Sequence, residues 1–288
     1  MSLGTHEILR SHALGNDYLV VEGDHFGIPL DGQRIRRICN RHPGVGSDGI
    51  LERVAAPHGF DAALRIWNPD GSEAEKSGNG VRIFAKYLFD HTLLRDKGTI
   101  KIHTLGGPVS ATLLRHDGMR STLRVSMGKV SFVAADLPMS VPGEHVGAPL
   151  EVGGSSFVAT CLSVGNPHCV LHDAPFDEET LCKIGPLVEN HPVFPNRTNM
   201  QIMQVVDRST VRALIWERGA GRTESSGSSA CAVAAAAVRA GLTDRSVKVV
   251  MPGGTLEVAI DEDWNLEQIG QAQEIYRAPL SREFVASL

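Results

Sequence analysis

Short runs rich in β-branched and aromatic residues recur along the chain: YLVV at 18–21, LRIW at 64–67, TIKI at 99–102 and LRV at 123–125, then FVAT at 157–160, VRALI at 211–215 and VKVV at 247–250. Each predicts a strand. Two stretches break that rhythm. Residues 81–94 place apolar side chains at 81, 84, 88 and 89, the spacing of a helix, and residues 230–240 hold enough Ala and Val for a helix buried on all sides. Each follows a turn rich in Gly and Ser. Residues 177–189 (DEETLCKIGPLVE) open with acidic side chains suited to a helix N-terminus and are expected to break at Gly185-Pro186. Pro-Gly and Gly-Gly pairs near 142, 153 and 252 mark turns between strands.

The pattern occurs twice. Gly15-Asn16-Asp17, His42-Pro43, Asn68-Pro69-Asp70-Gly71 and Ser77-Gly78-Asn79-Gly80 in the first half answer to Gly165-Asn166-Pro167, His191-Pro192, Glu217-Arg218-Gly219-Ala220-Gly221 and Ser226-Gly227-Ser228-Ser229 in the second. From the Asn to the His-Pro pair is 26 residues in one half and 25 in the other, while Asn68 to Ser77 and Glu217 to Ser226 are both nine. Four ordered landmarks with so little drift indicate an internal repeat. The expected fold class is therefore α+β: two homologous domains related by a pseudo-twofold, 1–127 and 128–288, each a mainly antiparallel sheet around a central helix.

Composition narrows the function. With 288 residues the chain can bury two ordinary cores. A net charge of -5 offers no broad cationic surface for a phosphate backbone, so nucleic acid is not an expected partner. No apolar run is long enough to span a membrane, and the N-terminus lacks the pattern of a signal peptide, so a cytoplasmic location is expected. Five scattered cysteines, without a C-x-x-C pair, indicate neither a disulfide framework nor a metal site. Homodimerisation is one option that the sequence permits.

A helix N-terminus presents unpaired N–H groups and the positive end of a dipole, and glycine lets an anion approach them. Singly, Ser77 and Ser226 read as N-caps. At matching places in two repeats they read as two opposed groups across one cleft, the arrangement that a cofactor-free racemase or epimerase needs to remove and return an α-proton. Asn16, Asn68, Asn79, Asn166 and Asn199 can hydrogen-bond substrate carboxylates, Glu217 can hold an ammonium group, and Arg218 can fork onto a distal carboxylate. His168 is a candidate for orienting or exchanging protons, although a lone histidine is more often structural.

These residues also carry a family resemblance. HALGNDY at 12–18 resembles the H-G-L-G-N-D-F of diaminopimelate epimerases, WNPDGSE at 67–73 resembles F-N-A-D-G-S-E, and GNGVR at 78–82 resembles the tail of C-G-N-G-A-R. GNPHC at 165–169 and ERGAG at 217–221 match G-N-P-H-C and E-R-G-A-G, FPNRTN at 194–199 resembles F-P-x-R-x-N, and MPGG at 251–254 resembles L-P-G-G. The resemblance implies an isomerase of lysine and peptidoglycan-precursor synthesis that uses no cofactor and interconverts LL- and meso-diaminopimelate. It further implies that Asn16, Asn68, Gly78, Asn79, Asn166, Asn199, Glu217, Arg218, Gly227 and Ser228 bind substrate, that His168 and Glu217 support catalysis, and that the tail after about residue 275 returns to the first domain.

Two departures stand out. The family's proton-transfer cysteines are Ser77 and Ser226 here, and residue 49 is Gly where the family often has a Gln that contacts substrate. A serine hydroxyl is far less acidic than a thiol and needs an adjacent base, for which Glu217 and His168 are candidates. The flanks KSGNG and SSGSS also differ from the family's, which favours native serines over an engineered pair. The alternatives are a related isomerase or dehydratase acting on another amino or imino acid, and a catalytically silent amino-acid-binding homologue.

Overall fold

A computed structural model describes residues 2–288, and the chain clusters into two compact units, Met1–Val125 with Gly270–Leu288, and Ser126–Ile269. The division lies two residues before the expected 127/128, and the tail joins the first unit from Gly270 rather than from about 275.

In the first unit the elements run β1 (Glu7–Ala13), β2 (Asn16–Glu22), α1 (Gly23–Phe26), α2 (Gly32–Cys39), β3 (Ile50–Val54), β4 (Ala62–Trp67), β5 (Glu73–Ala74), α3 (Gly78–His91), β6 (Thr99–Thr104), β7 (Gly107–His116) and β8 (Arg120–Lys129). The second has β9 (Ala148–Val152), β10 (Ser155–Ser163), β11 (Pro167–Leu171), α4 (Glu178–Glu189), β12 (Asn199–Asp207), β13 (Thr210–Glu217), β14 (Gly221–Thr223), α5 (Gly227–Arg239), β15 (Ser246–Met251) and β16 (Gly254–Ile260). The chain then passes through β17 (Asn265–Pro279) to α6 (Arg282–Ala286).

The repeat is written in the pairings. In the first unit β1–β2, β3–β4, β6–β7 and β7–β8 are antiparallel while β2–β3 and β4–β6 are parallel. The second unit repeats this order with β10–β11, β12–β13, β15–β16 and β16–β17 antiparallel and β11–β12 and β13–β15 parallel. Even the short hairpins correspond, since Trp67↔Glu73 and Trp216↔Arg222 are one pair displaced by 149 residues. Parallel neighbours need a crossover. Accordingly α2 and α4 lie between the first parallel pair of each unit, and α3 and α5 between the second.

That connectivity encloses α3 and α5. Every residue from Gly78 to Phe89 is buried, including Arg82 and Lys86, and α5 packs against β10, β11, β12, β13, β15 and β16. The alanines at 230, 232 and 234–237 are fully buried, which lets strands approach α5 from all sides. Both helices begin three residues before the expected 81 and 230, because the Gly- and Ser-rich segments read as turns are the helices' first turns.

The expected break at Gly185-Pro186 does not occur, for α4 is continuous through Pro186. Proline there removes a single bond, to the carbonyl of exposed Cys182, where water can substitute. Gly185 has a different task. A Cβ at this position would lie 2.5 Å from the Trp216 ring, so the glycine allows helix and indole to touch. We expect Gly185→Ala to lower the unfolding free energy by about 1–3 kcal/mol through overpacking. Denaturant titration checks this, and a loss below about 0.5 kcal/mol, the scale of an ordinary surface change, would show that Trp216 can move aside.

Candidate active site

Ser77 and Ser226 are the N-caps of α3 and α5. Ser77 Oγ accepts from Gly80 N–H at 3.0 Å and Ser226 Oγ from Ser229 N–H at 3.4 Å. The serine carbonyls take the next amides, Val81 at 2.8 Å and Ala230 at 3.0 Å. Among the described residues this leaves the N–H groups of Gly78 and Asn79, and of Gly227 and Ser228, without a partner in the chain. Each buried helix thus opens on two amide donors and roughly half a positive charge from its dipole.

In the first unit, a chain of side chains fixes the polar groups around this turn. Buried Arg82 donates to Asn79 Oδ1, Asn79 Nδ2 donates to Asn16 Oδ1 at 3.1 Å, and Asn16 Nδ2 donates to Asp48 Oδ2 at 2.9 Å. Charge at both ends dictates which way each amide points. Asp48 is held by Arg41, which also meets Asp17, and Asp17 pairs with Arg10 at 2.7 Å. Each asparagine nitrogen keeps a second hydrogen for a ligand. Tyr18, next in the strand, brings its hydroxyl to 3.3 Å from Ser77 Oγ. Asn68 stands apart, its Nδ2 donating to Ser72 Oγ within its own turn.

The second unit uses neutral groups. His168 is fully buried; Gln201 Nε2 donates to its Nδ1 at 3.1 Å and to Ser229 Oγ at 3.0 Å, so the ring proton sits on Nε2, 3.0 Å from the Asn166 Oδ1 that accepts it. Burial, aided by the charge of Arg218, lowers the His168 pKa to about 3 despite the contact with Gln201. His168 therefore faces Asn166 as a neutral ring. Asn199 accepts from Arg218 N–H at 3.0 Å and donates to the Pro167 carbonyl at 2.8 Å, tying the GNP and ERG turns together. Glu217, half-buried at the end of β13, accepts Ala220 N–H on its carbonyl, and the Arg218 guanidinium donates to the Asn196 carbonyl at 3.2 Å. Ser226 Oγ has Ser228 Oγ at 3.4 Å.

Gln201, Tyr18 and Glu189 escaped the sequence reading. Glu189 is buried at the end of α4 and accepts from Gly219 N–H at 2.9 Å and Trp216 Nε1 at 2.8 Å, which shapes the ERGAG turn. A carboxylate in a helix and an amide in a strand give no local sign of such long-range work. Tyr18 did leave a trace, as the hydroxyl by which HALGNDY differs from the family's phenylalanine motif.

Two strand-enclosed helices, each opening on a capped and amide-lined turn, define a two-repeat, epimerase-like fold. A hydroxyproline epimerase from Agrobacterium vitis shares it with a TM-score of 0.68 at 16% identity, over 94% of this chain and 90% of that one. A PhzF-family phenazine biosynthesis protein from Bacillus anthracis matches with a TM-score of 0.68 at 16% identity, over 97% and 100%. At such identity the likeness is one of fold. The sequence goes further: the model of the diaminopimelate epimerase family matches residues 8–133 and 160–275, and the chain belongs to that family. It is 43% identical to diaminopimelate epimerase 2 of a Nostoc species over 96% of each chain, and 40% identical to a diaminopimelate epimerase of Desulforudis audaxviator over 94% of this chain and 97% of that one. No helix among the described residues is long and apolar enough to cross a membrane.

The buried imidazole couples stability to pH. With a folded pKa near 3 and an ordinary unfolded value, only the unfolded chain binds this proton between those limits, so stability is complete above about pH 6.5 and falls as pH drops toward 3. One such site gives at most about 1.4 kcal/mol per pH unit. His145 and His172, also lowered by burial, add to the slope. Unfolding free energies from pH 7 to 5 should therefore fall less steeply for His168→Asn than for the wild type. Equal slopes would mean that the folded protein tolerates a charged His168.

Proposed function

We propose that this protein is a cofactor-independent amino-acid epimerase that interconverts LL- and meso-diaminopimelate. The observation that carries this reading is the matched pair of serine-capped helix starts, each set beside open N–H donors and oriented asparagines, in a chain of this family. Inversion of an α-carbon requires one group to take its proton and a second to return a proton to the other face. Ser77 and Ser226 are those groups in this reading. The open amides and Asn16, Asn79 and Asn166 bind carboxylate, Glu217 holds the ammonium group, and Arg218 meets the distal carboxylate. An N–H donated to each serine oxygen and the helix dipole favour the deprotonated oxygen, which draws the hydroxyl pKa down. The same reading puts the protein in the cytoplasm, in lysine and peptidoglycan-precursor synthesis.

The test is LL-diaminopimelate in D2O. One α-carbon should gain deuterium and invert, and Ser77→Ala or Ser226→Ala should each slow this by about a hundredfold or more, the usual weight of an acid–base group. Tight binding without exchange would instead mark a silent binding homologue. Exchange on proline-like substrates, with none on diaminopimelate, would assign the site to another isomerisation.

A further inference from the structure

The two serines do not have the same surroundings. Ser226 Oγ has an aliphatic hydroxyl beside it, that of Ser228 at 3.4 Å, whereas Ser77 Oγ has a phenol, that of Tyr18 at 3.3 Å. The tyrosine is 7% exposed, and its place there is secured by a glycine. A Cβ on Gly49 would lie 2.7 Å from Tyr18 Cε1 and 2.2 Å from the Trp67 carbonyl oxygen, so no side chain fits at 49 while the ring keeps its position. Gly49 thus accommodates the aromatic ring at 18, and the hydroxyl on that ring is a further departure from the family's phenylalanine motif. With the ring seated over Gly49, its hydroxyl reaches the serine at 77.

The chemistry supplies a reason. Ser77 Oγ already accepts the Gly80 N–H, and the phenol contributes a group that can either donate to that oxygen or accept its proton. A phenol ionises near 10, well below an aliphatic alcohol, so a proton-poor state is held at lower energy on Tyr18 than on the serine.

We propose that Tyr18 is the proton partner of Ser77: the Tyr18 phenolate takes the serine hydroxyl proton as Ser77 Oγ takes the α-proton of the substrate, and gives it back on the reverse step. The bonds balance. Cα–H breaks as a new Oγ–H forms, the old Oγ–H breaks as the tyrosine O–H forms, and the electron pair left on Cα is delocalised into the substrate carboxylate. Tyr18 acts through Ser77 and touches no reacting carbon, so it is a positioning residue. The inference rests on the reading that Ser77 is a proton-transfer group.

Tyr18→Phe tests it by deleting one oxygen and keeping the ring over Gly49, in wild type and in Ser77→Cys. With serine at 77, α-proton exchange from LL-diaminopimelate should fall in kcat by about a hundredfold or more, with KM within about twofold. With cysteine at 77 the same change should cost less than about threefold, because a thiol ionises near 8.5 and needs no phenol. An equal loss in both backgrounds would reduce Tyr18 to a packing residue and overturn the proposal. So would an active wild type that is indifferent to Tyr18→Phe, which leaves the role of Ser77 intact. A wild type with no exchange on any amino acid would overturn the reading of Ser77 and this inference together.

Discussion

A helix enclosed by strands has no solvent along its sides, and whatever reaches its N-terminal N–H groups must come through the opening at that end. α3 and α5 are such helices, and their first turns are the constraint on which both candidate sites depend. One donor goes to the capping serine and one to that serine's carbonyl, while the two before them remain open. Leaving buried donors unmet costs about 1–3 kcal/mol each. A carboxylate hydrogen-bonded to such donors would recover that cost.

The two units orient the amides around this turn by different means. In the first, charge sets direction: buried Arg82 at one end and Asp48 at the other fix both asparagines, and Asp17 and Asp48 are balanced by Arg10 and half-exposed Arg41. Ions so placed are paired, as buried charge demands. In the second, a neutral imidazole and the Gln201 amide do the same for Asn166, and burial keeps that ring uncharged. One backbone plan therefore carries a charged scaffold in one copy and a neutral one in the other, which is how a repeat can keep its geometry while its two sites differ in electrostatics.

What was legible in the sequence was whatever is local. Strands at 18–21, 64–67 and 211–215 lie within β2, β4 and β13, and the landmarks at Ser77 and Ser226 fall on the caps themselves. The helix starts were misplaced by three residues because Gly and Ser serve a first turn as readily as a loop when the cap lies just ahead of them. The break foreseen at Gly185-Pro186 does not occur because proline there forgoes only a bond to the exposed Cys182 carbonyl, while Gly185 lets the Trp216 ring approach the helix. Of the named site residues, Asn16 and Asn79 meet directly and Asn199 meets Arg218, but Asn68 turns to Ser72 and His168 works behind Asn166. The Asn16–Asn79 and Asn199–Arg218 contacts join residues 63 and 19 apart, which spacing alone does not reveal, while Asn68 and His168 are tied to partners within four residues.

Stability and chemistry compete for the same atom at each helix start. Serine is among the best N-caps, worth about 1 kcal/mol against alanine, because its oxygen accepts a backbone hydrogen bond well. A thiol is a weaker acceptor but ionises far more readily. Oxygen at 77 and 226 therefore favours capping of the helices over ease of ionisation. The cap bonds of 3.0 Å at Ser77 and 3.4 Å at Ser226 show that the two oxygens are not equally committed to capping. The more firmly held oxygen is the one with a phenol at hand, so the shorter cap bond and the Tyr18 hydroxyl fall in the same unit. An oxygen fixed by its helix keeps a constant geometry toward Tyr18, and constant geometry is what the proposed proton relay would need.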